Sequence, residues 1–240
     1  MDGPYAGSIA LVTDCLIIAV DGPAGSGKSS AARGVARGLG LRYLDTGAMY
    51  RALTWWMLHH GVPVGSAEAV AAHAGQPVIE VSTDPGSPAI GVDGTDVTAE
   101  IRTRQVSNAV SAVASVPEVR TRLVAMQQNI IARTCAAGAG IVAEGRDIGT
   151  VVAPGAPVKV YLTASESIRA ARRSADLAAD PSVTVALTQA EQQRRDQADA
   201  AQMARARDAV LIDSTALDLD EVVSVIVGLA RQRADAAWSR

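Results

Sequence analysis

Gly22-Pro23-Ala24-Gly25-Ser26-Gly27-Lys28-Ser29 is the stretch that decides the reading of this chain. It fits G-x-x-x-x-G-K-[ST], and its flanks fit as well. Leu16 to Val20 before it is a short apolar run of the kind that forms a buried parallel strand. Ser29 to Leu39 after it is rich in Ala and Arg, interrupted only by Gly34 and stopped by Gly40, which predicts a helix. Strand, glycine loop and helix in that order make a cradle for phosphate. The glycines let successive N–H groups turn inward, and the helix N-terminus adds its dipole. Lys28 brings a full charge to the β- and γ-phosphates of ATP, and the Ser29 hydroxyl is the candidate Mg2+ ligand. The loop from Gly22 to Ser29, with Ser30, is the candidate ATP site.

Working outward, Arg42 to Leu44 reads as a second strand, and Asp45-Thr46-Gly47 opens a helix through His59. The texture changes between Gly61 and Thr98, where Pro63, Pro77, Pro85 and Pro88 sit among Gly, Ser and Asp. Val78 to Val81 and Ala89 to Val92 look like small strands there, in an inserted β-rich lobe. Ala99 to Arg133 is helical with an interruption near Pro117. Ile141 to Ala143, Val158 to Leu162 and Val210 to Ile212 are further strands. Ser165 to Ala179, Thr188 to Arg207 and Leu219 to Arg233 are further helices. This alternation predicts an α/β fold, a P-loop NTPase with a parallel sheet flanked by helices. One domain is expected over residues 16–233, after an N-terminal extension at 1–15 and before a short tail at 234–240.

Composition limits the partners. The chain has 240 residues, 48% of them hydrophobic, which excludes disorder. A net charge of −3 and a pI near 5.6 argue against nucleic acid as a partner. Lys28 and Lys159 are the only lysines among many arginines, and one of them lies in the loop. Two cysteines, Cys15 and Cys135, make no disulfide framework, and a reducing cytosol is the simplest setting. No run reaches the length of a membrane helix, and the N-terminus lacks a basic leader region. A cytoplasmic monomer is expected, with neither membrane nor nucleic acid as partner.

The loop alone leaves switch GTPases, motor ATPases and small-molecule kinases open. No Asn-Lys-x-Asp guanine reader exists here. Ile141-Val142-Ala143-Glu144 ends in one acidic residue and runs into Gly145-Arg146-Asp147, which suits a kinase better than a motor. Arg51, Arg146, Arg172, Arg173 and Arg195 fall near strand ends or in connecting helices. Guanidinium forks match the oxygens of a transferring phosphoryl group. Arg169, Arg172 and Arg173 share one helical face, although for any single arginine a solvated surface charge is the rival reading. A phosphate acceptor needs no general base, because its oxygen is already anionic. That agrees with the lack of a convincing catalytic histidine, since His59, His60 and His73 read as structural.

At this point the residues resemble those of the bacterial cytidylate kinases, over nearly the whole chain after residue 15. The resemblance rests on Ala19 to Ser29, on Leu44-Asp45-Thr46-Gly47-Ala48-Met49-Tyr50-Arg51, on Glu100-Ile101-Arg102 with Val106 to Arg120 behind it, on Glu144 to Val152, and on Asp208 to Thr215. The second and fourth of these are specific. The resemblance implies MgATP-dependent phosphorylation of CMP and dCMP to the diphosphates. It implies a monophosphate-binding lobe (about 46–120) carrying a β insertion, and a mobile lid (about 165–200). Thr46, Tyr50, Arg51 and Arg146 would line the CMP phosphate. Ser111, Arg120 and Asp147 would read the cytosine edge, and Arg195 and Asp199 would meet the ribose. Arg173 would reach from the lid to the ATP phosphates, making Lys28, Arg146 and Arg173 the candidate catalytic residues.

The last third departs from the family pattern. Gln202 stands where members carry an Arg, the Pro turn after it is missing, and the segments before Asp208 and between Arg173 and Arg195 are short. Arg205 or Arg207 is the expected substitute if the helix runs on. Two alternatives therefore stay open: a nucleotide-binding relative with impaired transfer, and a kinase of another small phosphorylated metabolite.

Overall fold

A computed structural model of the chain describes residues 15–176, 185–200 and 203–238. Strand β1 (Ile17–Asp21) runs into the glycine loop, and α1 (Lys28–Leu39) leaves it. Gly40 ends α1 in a left-handed cap whose N–H reaches back to the last turn. After β2 (Arg42–Asp45), the Asp45 carboxylate accepts the Ala48 N–H at 2.8 Å and starts α2 (Thr46–His59). Ser66 caps α3 (Ala67–His73) in the same way. Then come β3 (Ile79–Val81), β4 (Ile90–Val92), β5 (Thr95–Asp96) and one 3-10 turn at Glu100–Arg102. Helix α4 (Arg104–Ala114) gives way to α5 (Pro117–Ala136), with Pro117 in the first turn where its missing N–H costs nothing. β6 (Ile141–Gly145), a π-helical turn at Ile148–Val152 and β7 (Val158–Thr163) follow. Helices α6 (Glu166–Asp176) and α7 (Val185–Asp199), strand β8 (Val210–Asp213) and helix α8 (Leu219–Trp238) complete the order.

The main sheet has five strands, all parallel, in the order β2-β6-β1-β7-β8. Neighbouring residues of a strand point to opposite faces, so β1 feeds two cores. Ile18 and Val20 pack with Val35, Tyr43, Val223 and Ile226 under α1 and α8. Ala19 packs with Leu44, Leu53, Leu123 and Ile148 under α2 and α5. Both faces are covered, which is why the strands read as continuous apolar runs. Among the described residues no helix is long and apolar enough to cross a membrane.

Three expectations change. The stretch between Gly61 and Thr98 does hold a small antiparallel sheet, β3-β4-β5, but it also holds α3. It does not pack by itself: Ile79, Ile90 and Val92 share one core with Leu53, Trp56 and Met57 of α2. The Asp93-Gly94 turn closes the β4–β5 hairpin with φ of 52° and 77°, the primed geometry that suits strand twist. The Asp93 carboxylate then accepts from Trp56 Nε1 at 2.8 Å and from the Val78 N–H at 2.7 Å, tying the hairpin to α2.

The helix expected to reach Arg207 stops at Asp199. The chain must turn back to enter β8, and tertiary anchors hold it there. Ala206 is buried near Gly149, and Lys159 Nζ binds the Asp208 carboxylate at 2.9 Å. Arg205 and Arg207 are left exposed, and Gln202 lies outside the described residues, as do residues 1–14.

The two cysteines are joined. Cys15 leads into β1 and Cys135 lies in the last turn of α5; 120 residues apart in sequence, they form a disulfide. The pairing was hidden because only the sheet brings these elements together. A cross-link closing so long a loop restricts the unfolded chain by up to about 5 kcal/mol in the chain-entropy treatment. Reducing agent is expected to lower the melting temperature on the order of 10 °C. Cys135→Ser is expected to show the lower value and no response to reductant in scanning calorimetry.

Candidate active site

The parallel register sets Asp21 beside Gly145, so the carboxyl ends of β1 and β6 lie side by side. The glycine loop leaves one and Gly145-Arg146-Asp147 leaves the other. The loop needs its glycines: Gly22 has φ 147°, and a Cβ there would stand 2.0 Å from the Leu162 carbonyl oxygen. Gly25 has φ 74°, and its Cβ would fall 2.8 Å from the Arg169 carbonyl oxygen.

Lys28 Nζ donates to the Pro23 carbonyl at 2.7 Å. Its ammonium is pushed down to about 7, first by loss of surrounding water and then by the Arg146 charge, against the pull of Glu144, Asp21 and Asp196. Glu144, deeply buried, accepts from the Tyr43 hydroxyl at 2.6 Å and from Ser29, while burial pushes its carboxyl up. The Thr46 hydroxyl donates to the Glu144 backbone carbonyl at 2.7 Å.

The three arginines expected on one face of α6 divide their work. Arg169 donates to the Ala24 carbonyl at 3.0 Å and pairs with Asp196 at 2.5 Å, and Asp196 in turn accepts the Ala24 N–H at 3.4 Å. Arg172 binds the Ser214 hydroxyl at 3.0 Å and the Ser26 carbonyl at 3.4 Å. Both brace the glycine loop, and of the two only Arg172 also lines the cleft. Arg173 alone of the three meets the opposite wall, donating to Ser107 Oγ at 3.2 Å, and Arg51 donates to the same oxygen at 3.0 Å. Asp196, Ser107 and Ser214 were missed by sequence reasoning. Nothing local marks them, because their roles come from contact with distant segments.

On the acceptor side, Arg146 donates to the Gly22 carbonyl at 2.8 Å and pairs with Asp199 at 3.1 Å. Arg120 and Asp147 form a direct ion pair. Burial, followed by the charges of neighbouring arginines, lowers Arg51 to about 9 and Arg195 to about 10. The Oγ atoms of Ser26 and Ser111 and Nε of Arg195 are shielded from solvent without a hydrogen-bond partner among the described residues.

One cleft of about 1100 Å³ gathers these groups. Ala24 to Ser30 line it, together with Thr46, Tyr50, Arg51, Ser111, Arg120, Arg146, Asp147, Arg173, Arg195 and Asp199. Gly22 and Pro23 stand behind the wall and contribute carbonyls instead. Among the described residues nine basic and five acidic residues line the cleft, so it is built for an anion even though the whole chain is acidic. Arg205 and Arg207 are not among the lining residues. His59 and His60 stack on Trp55 and Trp56, and the His73 ring meets the Ala69 carbonyl, away from the cleft.

Comparison with known proteins agrees with this geometry. Residues 18–232 match the cytidylate kinase family. A cytidylate kinase of Streptomyces griseus is 49% identical over 92% of this chain and 95% of its own length. Those of Streptomyces avermitilis and Streptomyces coelicolor are 47% and 50% identical, over 93% and 91% of this chain and 96% and 94% of their own lengths. The chain therefore belongs to the cytidylate kinase family.

Proposed function

We propose that this chain transfers the γ-phosphate of ATP to CMP and dCMP, giving the diphosphates. One observation carries the reading: a single cleft with the glycine loop and Lys28 at one wall and the Arg120–Asp147 pair at the other, bridged by arginines. Lys28, Arg146 and Arg173 meet the charge that spreads over the transferring group. Thr46, Tyr50, Arg51 and Arg146 hold the acceptor phosphate. That phosphate is anionic already, so positioning and charge neutralisation supply the rate.

Cytosine presents an amino donor beside a ring nitrogen and a carbonyl that both accept. The Asp147 carboxylate takes the amino group, and Arg120 with the Ser111 hydroxyl serves the acceptors. Uracil presents an oxygen where cytosine presents N–H, which sets two acceptors against each other and disfavours UMP. Arg195 and Asp199 meet the ribose. Residues of about 46–120 form the monophosphate lobe, and α6 with α7 forms a lid that excludes water during transfer. Ser29 and Glu144 would hold Mg2+ through hard oxygen donors, and the ion would supply neutralisation of the charge on the ATP phosphates.

The deciding experiment is ADP release with a panel of CMP, dCMP, UMP and AMP. CMP and dCMP are expected to be preferred by about a hundredfold or more, because the disfavoured bases leave buried polar groups unpaired. Equal rates with AMP and CMP would sink the cytosine-reader assignment. Lys28→Ala is expected to abolish turnover while the melting temperature holds.

The lowered Lys28 ammonium adds a signed pH effect. Above about pH 7 the ligand-free lysine gives up its proton, whereas phosphates favour the charged form, so ATP affinity should fall as pH rises through that point. Calorimetry near pH 8 in buffers of different ionisation enthalpy should report uptake of up to about one proton per ATP, absent in Lys28→Ala.

A further inference from the structure

We propose that Asp21 is a positioning residue for the acceptor half of the cleft: although it abuts the ATP loop, its carboxylate fixes the backbone that carries Arg146 and Asp147. The inference rests on the acceptor reading given above and assigns a residue outside the set argued there. Asp21 is the last residue of β1 and is buried, 6% exposed. One carboxylate oxygen accepts the Ile148 N–H at 2.8 Å, and the other accepts the Gly149 N–H, also at 2.8 Å. Gly22, the next residue, offers its carbonyl to Arg146 at 2.8 Å. The end of β1 thus grips both sides of Asp147.

Asp147 is in turn the partner of Arg120, which stands on α5. The π-helical turn after Asp147 begins at Ile148, so its first two N–H groups are the ones that Asp21 takes. Such groups at a helix start have no partner within the helix. Gly149 lies close against this contact: a Cβ there would stand 3.3 Å from Asp21 Oδ2 and 3.2 Å from Lys159 Cδ. Two N–H donors on two separate oxygens require a carboxylate. An Asn at the same place offers one oxygen and one NH2 group, so one buried donor would face another donor. The turn would then shift, and Asp147 with it, while the carbonyls of Ala24 and Ser26 in the glycine loop keep their own donors, Arg169 and Arg172.

The test is Asp21→Asn in the full chain, with both substrates titrated. KM for CMP is expected to rise about tenfold to a hundredfold, since a displacement near 1 Å costs on that order. KM for ATP is expected to rise by much less than KM for CMP, since the ATP side loses only the pull of the Asp21 charge on Lys28, and preference for CMP over UMP to narrow, because the base reader has moved. Gly149→Ala presses on the same contact from the other side and is expected to give the same CMP-selective loss, which covers the case of Asp21→Asn failing to fold. Equal losses for both substrates, or an unchanged KM for CMP in a folded variant, would overturn the proposal.

Hydrogen exchange supplies a readout that needs no acceptor. In Asp21→Asn the amides of residues 148 and 149 should exchange faster, with those of residues 24–29 unchanged. Unchanged protection at 148 and 149 would also overturn the proposal. If the unmodified chain turned over no CMP, the functional reading would fall by itself, and the exchange experiment would still decide whether Asp21 holds the turn.

Discussion

The parallel pairing of β1 with β6 is the constraint on which the cleft depends. Asp21 lies beside Gly145 because Ile17 lies beside Ile141 and the register runs unbroken between them. Parallel strands end at the same edge of the sheet, so the loops that leave them meet there. Two segments more than a hundred residues apart in sequence, the glycine loop and Gly145-Arg146-Asp147, become two walls of one site. A slip of one residue in either strand would turn its apolar side chains to the wrong core and would separate the two walls as well.

The site gathers more charge than its size makes comfortable. Burial and mutual repulsion lower Lys28, Arg51 and Arg195, the direction expected of cations held close together out of water. The protein offsets part of this with its own carboxylates. Asp199 pairs with Arg146, Asp196 with Arg169, and Asp147 with Arg120. Asp196 also takes the Ala24 N–H, so α7 and the glycine loop are joined through a carboxylate on a loop amide. An anionic ligand entering this cleft meets groups already arranged around negative oxygen, which is the sense in which the site is preorganised.

The sheet strands and the first two helices were legible in the sequence because each is fixed by short-range features. Leu16 to Val20 and Ile141 to Ala143 are apolar runs that became β1 and β6, and α1 ends at a glycine. The limits of α7 were not legible. Its sequence continues in helix-forming residues, yet the helix stops at Asp199 because Ala206 and Asp208 are claimed by the sheet side of the molecule. The stretch of small strands was found by texture, but its dependence on the core under α2 was not, since the Asp93 carboxylate and buried aliphatic side chains such as Ile79, Ile90, Val92 and Val97 make the connection.

By itself the sequence determined the phosphate loop motif and the α/β alternation, because loop chemistry and hydrophobic period are local properties. The tertiary structure alone decided that Arg169 and Arg172 brace the glycine loop while Arg173 crosses to the opposite wall. Arg169, Arg172 and Arg173 look alike on a helical wheel, and only the positions of Asp196, Ser214 and Ser107 separate them. It also decided that Cys15 and Cys135 meet, and that Asp21 holds the turn after Asp147. Each of these is a contact between residues a long way apart in the chain. Such contacts are fixed by how the sheet orders its strands, which no window of sequence contains.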